Sequence, residues 1–151
     1  MKELNLAAVS EDVINQLPKG ALLTVKANDK LNTMTIGWAT VGRIWNKPIM
    51  TVLVRFSRHT HEVISRADSF TVSFSKDGSL KSAFATCGKK SGRDTDKFQE
   101  CGLTPVYIDN IESPYIAEGD LHFICKIVYK NTVEPELLSE EIKDIWYKDN
   151  D

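Results

Sequence analysis

Residues 32–61 read NTMTIGWATVGRIWNKPIMTVLVRFSRHTH, and the fold turns on them. Two apolar runs, Ile36 to Trp45 and Ile49 to Phe56, flank Asn46-Lys47-Pro48. That tripeptide is a turn signal, because Pro48 has no amide to give to a sheet ladder. The stretch therefore predicts a β-hairpin. Its second run is apolar at nearly every position apart from Thr51, the pattern of a strand covered on both faces. Polar side chains gather at the two outer ends. Asn32, Thr33 and Thr35 precede the first run; Arg55, Ser57, Arg58, His59, Thr60 and His61 close the second. A hairpin sets its first and last residues side by side. An amide- and hydroxyl-bearing segment should then face one that carries two arginines. Such a pocket suits a ligand with a flat polar ring and an anionic tail.

Outward from this hairpin the signals are shorter. Ser10-Glu11-Asp12 predicts a capped helix ended by Pro18 and Gly20. Ala21 to Ala27 reads as a strand, with a turn at Asn28-Asp29. Thr60 is placed to cap a short helix through Ala67. Phe70, Val72 and Phe74 alternate with Thr71, Ser73 and Ser75, which predicts a half-buried strand. Leu80 to Ala85 has helical spacing. The run from Cys87 to Asp94 is polar and glycine-bearing, so it reads as a mobile loop, and Asp94 can cap a helix that ends near Gly102. Thr104 to Ile108 and Leu121 to Tyr129 read as strands, Asn110 to Pro114 as a connection, and Glu140 to Tyr147 as a helix. About six strands with short helices predict an antiparallel barrel or α+β domain rather than a doubly wound parallel sheet.

Whole-chain properties narrow the function. At 151 residues and a formal net charge of −2, the chain reads as one domain, without the basic surplus of a nucleic-acid binder. No apolar run spans a bilayer and the first residues lack a signal-peptide core, so the expectation is a cytoplasmic protein without a membrane partner. Cys87, Cys101 and Cys125 are neither a disulfide framework nor a metal knuckle, and read as inert thiols. No metal site and no catalytic side chain are assigned. The glycine-rich fingerprints of dinucleotide and phosphate-loop binding are absent.

Three clusters carry chemistry. Arg55, Ser57, Arg58 and Thr60 offer guanidinium forks and hydroxyls to a phosphate. Asn32, Met34 and Thr35 offer an amide, a thioether and a hydroxyl to a heteroaromatic ring, with Trp38 on the same strand. Ser91, Gly92, Arg93, Asp94 and Lys97 form a loop able to close over a ligand. Against these stand plainer readings: surface arginines on a solvated strand end, turn and core residues, a solvated loop. Spacing alone leaves both open.

The same segments resemble the flavin reductase-like family of FMN-binding split-barrel proteins, in its flavoredoxin subgroup. The resemblance rests on Asn32-Thr33-Met34-Thr35-Ile36-Gly37-Trp38, on Arg55-Phe56-Ser57-Arg58-His59-Thr60, and on Ser91-Gly92-Arg93-Asp94-Thr95-Asp96-Lys97-Phe98. It implies a mainly β, Greek-key split barrel with short helices that dimerises and binds FMN near the subunit interface. It implies that Asn32, Met34, Thr35 and Trp38 line the flavin ring. Arg55, Ser57, Arg58 and Thr60 would hold the phosphate, and Ser91, Gly92, Asp94 and Lys97 would close the site. The expected activity is NAD(P)H:flavin oxidoreduction, with NADH or NADPH as co-substrate. The alternatives are a flavoredoxin-like electron carrier serving a redox protein partner, and a barrel that has lost its flavin. Family members usually continue past a segment like Trp146 to Asp151 into a further strand. The chain is therefore expected to be a single domain, residues 1–151, that lacks this last strand.

Overall fold

The computed structural model describes residues 1–149 and 151. Its centre is a four-stranded antiparallel sheet in the order β2-β1-β5-β8, formed by β1 (Ala21–Ala27), β2 (Lys30–Ile36), β5 (Ser69–Phe74) and β8 (Leu121–Lys126). Two ribbons complete the β-structure: β3 (Ala39–Ile44) with β4 (Lys47–Val52), and β6 (Pro105–Ile108) with β7 (Ile111–Ile116). Among the described residues five short helices lie before, between and after the strands: α1 (Leu6–Gln16), α2 (His59–Ile64), α3 (Lys81–Lys89), α4 (Lys97–Cys101) and α5 (Glu140–Trp146).

The core divides along the period-two alternation of the inner strands. Leu23, Met34, Ile36, Phe70, Val72 and Phe74 form one cluster with Val9, Val13 and Leu17 from α1 and the turn after it. Leu22 points the other way, onto Leu80, Ala83, Phe84 and Cys87 of the α3 region and onto Ile116 of β7. Removing this apolar surface from water, at roughly 25 cal/mol per Å², dominates the favourable side of folding.

Several local expectations are corrected. The β3–β4 turn is Trp45-Asn46, with φ of 51° and 59°, the left-handed geometry a tight hairpin needs. Pro48 lies inside β4, opposite Arg43. A two-stranded ribbon leaves half its backbone donors facing outward, and a proline is tolerated there. The ribbon is also mostly exposed, not covered on both faces. Conversely, every residue of β5 is buried. Its polar face is sealed by β7: Thr71 Oγ1 donates to the Pro114 carbonyl at 2.6 Å, and the Ile116 amide donates to Ser73 Oγ at 3.2 Å. Pro114 thus sits in a strand, not in a connection. α1 begins four residues earlier than Ser10, behind an Asn5 cap. Arg58, not Thr60, precedes α2, and Asp96, not Asp94, caps α4. Cys87 to Lys89 belong to α3 and not to a loop.

Candidate functional site

β2, the segment after β4, α2 and the α3–α4 loop converge on a cavity of about 310 Å³. Asn32 and Met34 reach it from the same face of β2. Arg55, Ser57, Arg58 and Thr60 reach it from the chain that leaves the β3–β4 ribbon, and Ser91, Gly92 and Lys97 from the α3–α4 side. The two polar clusters therefore do face one another, though not as the ends of one hairpin. Asn32 lies in β2, whose hairpin partner is β1, and a two-residue Asn28-Asp29 turn sets that register. A second recess of about 110 Å³ adjoins the first. Met34, Arg55 and Arg58 border both, while Thr35 and Trp38 line only the second.

Trp38 stands in an aromatic group. Its ring meets Trp146 edge-on at 5.1 Å, and the Arg55 guanidinium lies 5.0 Å from its centroid. Thr35 turns away: its hydroxyl donates to the Phe84 carbonyl at 2.6 Å, which ties β2 to α3. Asp94 is exposed and lines neither recess, so its expected part in closing the site is not supported by its position. Lys97 is buried and acts as a strut. Its ammonium donates to the Thr33 carbonyl at 2.9 Å and the Cys87 carbonyl at 3.1 Å. Burial, aided by the nearby Arg58 charge, lowers its pKa. Asn32 is buried too, and its amide donates to Thr60 Oγ1 at 2.8 Å.

The walls are basic although the chain as a whole is slightly acidic. Lys89, Lys90 and Arg93 join Arg55, Arg58 and Lys97 around the cavity, and such walls concentrate anions. The structure itself seats an anion there. The Asp151 carboxylate accepts from the Ser57 amide at 2.7 Å and the Ser57 hydroxyl at 2.6 Å, with Arg55 Nη1 at 3.9 Å. The Ser57 hydroxyl first, then its amide and the two arginines, hold the Asp151 carboxyl below its usual range. His59 also lines the cavity, and its buried Nδ1 has no hydrogen-bond partner among the described residues. Glu62 Oε2 is 3.4 Å away without accepting a hydrogen bond from it. The sequence reading did not assign His59, Lys89, Lys90 or Asp151. His59 stands inside the Arg55–Thr60 motif and the lysine pair beside Ser91-Gly92, whereas Asp151 carries no local signal.

Gly92 is fixed by what it touches. A Cβ there would stand 2.1 Å from Asn32 Oδ1 and 3.0 Å from the His59 ring. Gly92→Ala is expected to push Asn32 off Thr60 and lower stability by about 1–2 kcal/mol. Gly42 has nothing within 4 Å, so Gly42→Ala is the control. Equal urea midpoints for the two variants would show that Gly92 is not a contact residue.

These features match a known architecture. The flavin reductase-like domain model matches residues 17–151. A solved flavoredoxin from Desulfovibrio vulgaris (Miyazaki F) is 25% identical, with a TM-score of 0.68 over 75% of this chain and 61% of its own. A flavoredoxin from Methanosarcina acetivorans is 29% identical, with a TM-score of 0.68 over 76% of this chain and 59% of its own. A split-barrel protein from Shewanella frigidimarina, 22% identical, shares the fold at a TM-score of 0.64, over 86% of this chain and 66% of its own. This chain thus spans about three fifths of the length of the two flavoredoxins. No curated protein matches it. The mainly β split barrel with short helices and the flavoredoxin resemblance expected from the motifs are both borne out. The chain belongs to the flavin reductase-like domain family.

Proposed function

We propose that the chain binds FMN across the two recesses and is an oxidoreductase that takes hydride from NADH or NADPH. One observation carries the reading. A carboxylate is already held by Ser57 beside Arg55, in a cavity that shares Met34, Arg55 and Arg58 with an aromatic-lined recess. The donor set suits a phosphate, and Met34 and Trp38 offer apolar surface to a ring. Bound FMN would supply the redox chemistry itself. Arg55, Ser57 and Arg58 would hold the phosphate, with Thr60 positioned by Asn32. Met34 and Trp38 would line the ring and exclude water; Thr35 would contribute only its backbone and methyl group. Ser91 and Gly92 would close the cavity, and the Lys97 strut would keep α4 against β2. No side chain is assigned a proton-transfer step.

The first test is the visible absorption spectrum of the purified protein with and without added FMN. Protein that stays colourless and binds no added FMN overturns the reading. Similarity to two flavoredoxins favours a second version, an electron carrier for a redox protein partner. A stopped-flow mix with NADH and NADPH separates the two: fast bleaching of bound flavin marks the reductase, and its absence marks the carrier. The proposal includes a homodimer. Ile44 and Trp45 of the β3–β4 ribbon and Leu53 beyond it are exposed apolar side chains, and sedimentation should give twice the mass of the chain.

Asp151 and the phosphate would compete for Ser57. Asp151→Asn is expected to tighten FMN about two- to fivefold, the worth of a partly exposed charged contact. Weaker binding in this variant would show that Asp151 supports the site and does not compete for it.

A further inference from the structure

We propose that Cys87 and Cys101 are a redox-modification site, a thiol pair that hydrogen peroxide converts into an intramolecular disulfide joining α3 to α4. The two residues are 14 positions apart, and their sulfurs stand 4.0 Å from each other. Closing the pair to a bond of about 2 Å needs a side-chain rotation, and Cys101 is the last residue of α4, before the left-handed Gly102. The pair is asymmetric. Cys87 is fully buried among Leu22, Phe84 and Ile116, whereas Cys101 is partly exposed. An oxidant therefore meets Cys101 first.

The chemistry closes without another reactant. Cys101 sulfur attacks one peroxide oxygen, the O–O bond breaks, and the departing oxygen leaves as water after taking the thiol proton. Cys101 is then a sulfenic acid. Cys87 sulfur attacks it, the S–O bond breaks, and the hydroxyl leaves as a second water with the Cys87 proton. Two thiols are oxidised and one peroxide is reduced. Burial pushes the Cys87 thiol up, and the Cys101 sulfur beside it adds to this, while the Lys97 ammonium opposes both.

The bridge would have a reader. The loop it closes includes Ser91 and Gly92 on the cavity wall, and Lys97, which already bonds the Cys87 carbonyl. Oxidation should fix this wall against α3. Cys125 is the internal control: it lies on β8, away from the pair, and is free.

The experiment treats the whole chain with limiting hydrogen peroxide and follows intact mass, peptide maps and melting. The expected result is a loss of two hydrogens, a Cys87–Cys101 linked peptide, and a melting temperature higher by about 5–10 °C that dithiothreitol reverses. Cys125→Ser should behave the same way. Cys101→Ser should form no bridge, and so should Cys87→Ala if it folds. A sulfinic acid on Cys101 without a bridge, a bridge that uses Cys125, or an oxidised chain that melts no higher would each overturn the proposal. None of these readouts depends on flavin.

Discussion

Replacing Arg55 and Arg58 together with alanine is expected to weaken FMN binding by roughly 100- to 1,000-fold. Each guanidinium borders both recesses and lies beside the Asp151 carboxylate that Ser57 holds. A charge-assisted hydrogen bond is worth about 1.5–3 kcal/mol. Two in one cluster do not add fully, so about 3–4 kcal/mol is expected for the pair. Fold stability should change much less. Arg58 also donates to the Gly88 carbonyl at 2.9 Å, and Arg55 covers Trp38 and Tyr147, but neither arginine is fully buried. Titration of flavin fluorescence reads the loss, with Lys47→Ala as the control because Lys47 is an exposed cation on the ribbon. An affinity equal to that of the unsubstituted chain removes the phosphate assignment. An equal loss in the Lys47 variant assigns the effect to overall charge.

The chain should also lose stability as pH rises above 9, and Cys125 should account for a measurable share. Burial on β8 pushes its thiol from 9.0 up to about 12. In the folded state it keeps its proton where the unfolded chain has lost it. The folded form therefore binds more protons between these values, and stability falls with pH across that window. The slope reaches about 1.4 kcal/mol per pH unit for one thiol, so the total approaches about 4 kcal/mol. Cys87, raised by the same cause, adds to the slope. Lys97 leans the other way. Its lowered pKa makes the buried ammonium a liability that deprotonation relieves as pH rises toward 10.5. Urea unfolding under reducing conditions, compared between the native chain and Cys125→Ala, isolates the thiol. The stability difference between the two should be constant below pH 9, and above it the native chain should fall relative to the variant. Parallel curves would mean that the folded protein does not protect this sulfur.

Much of the site was legible because its motifs are short and local. Asn32 and Met34 share a strand face by simple alternation, and Arg55, Ser57, Arg58 and Thr60 follow one another along six residues. The two motifs are not the ends of one hairpin, because Asn32 pairs within β1–β2 while Arg55 follows the β3–β4 ribbon. The ribbon that follows Trp38 was identified, but its turn was set one residue late, since proline outweighed Trp45-Asn46 as a signal. The β5 alternation looked half-solvated because hydroxyls usually face water, yet β7 supplies them with carbonyl and amide partners. The Ser91–Phe98 motif puts Asp94 in the closing loop, yet its side chain is exposed and lines neither recess.

By itself the sequence determined the succession of short strands and helices, the shared face of Asn32 and Met34, and the two arginine- and asparagine-bearing motifs, because these follow from backbone periodicity and local order along the chain. Only the tertiary structure decided that Lys97 is a buried strut, that Ser57 already holds a carboxylate, and that Cys87 and Cys101 stand sulfur to sulfur. Each of these depends on segments far apart in the chain being packed against one another, and a contact made across a folded core leaves no period in the sequence that encodes it.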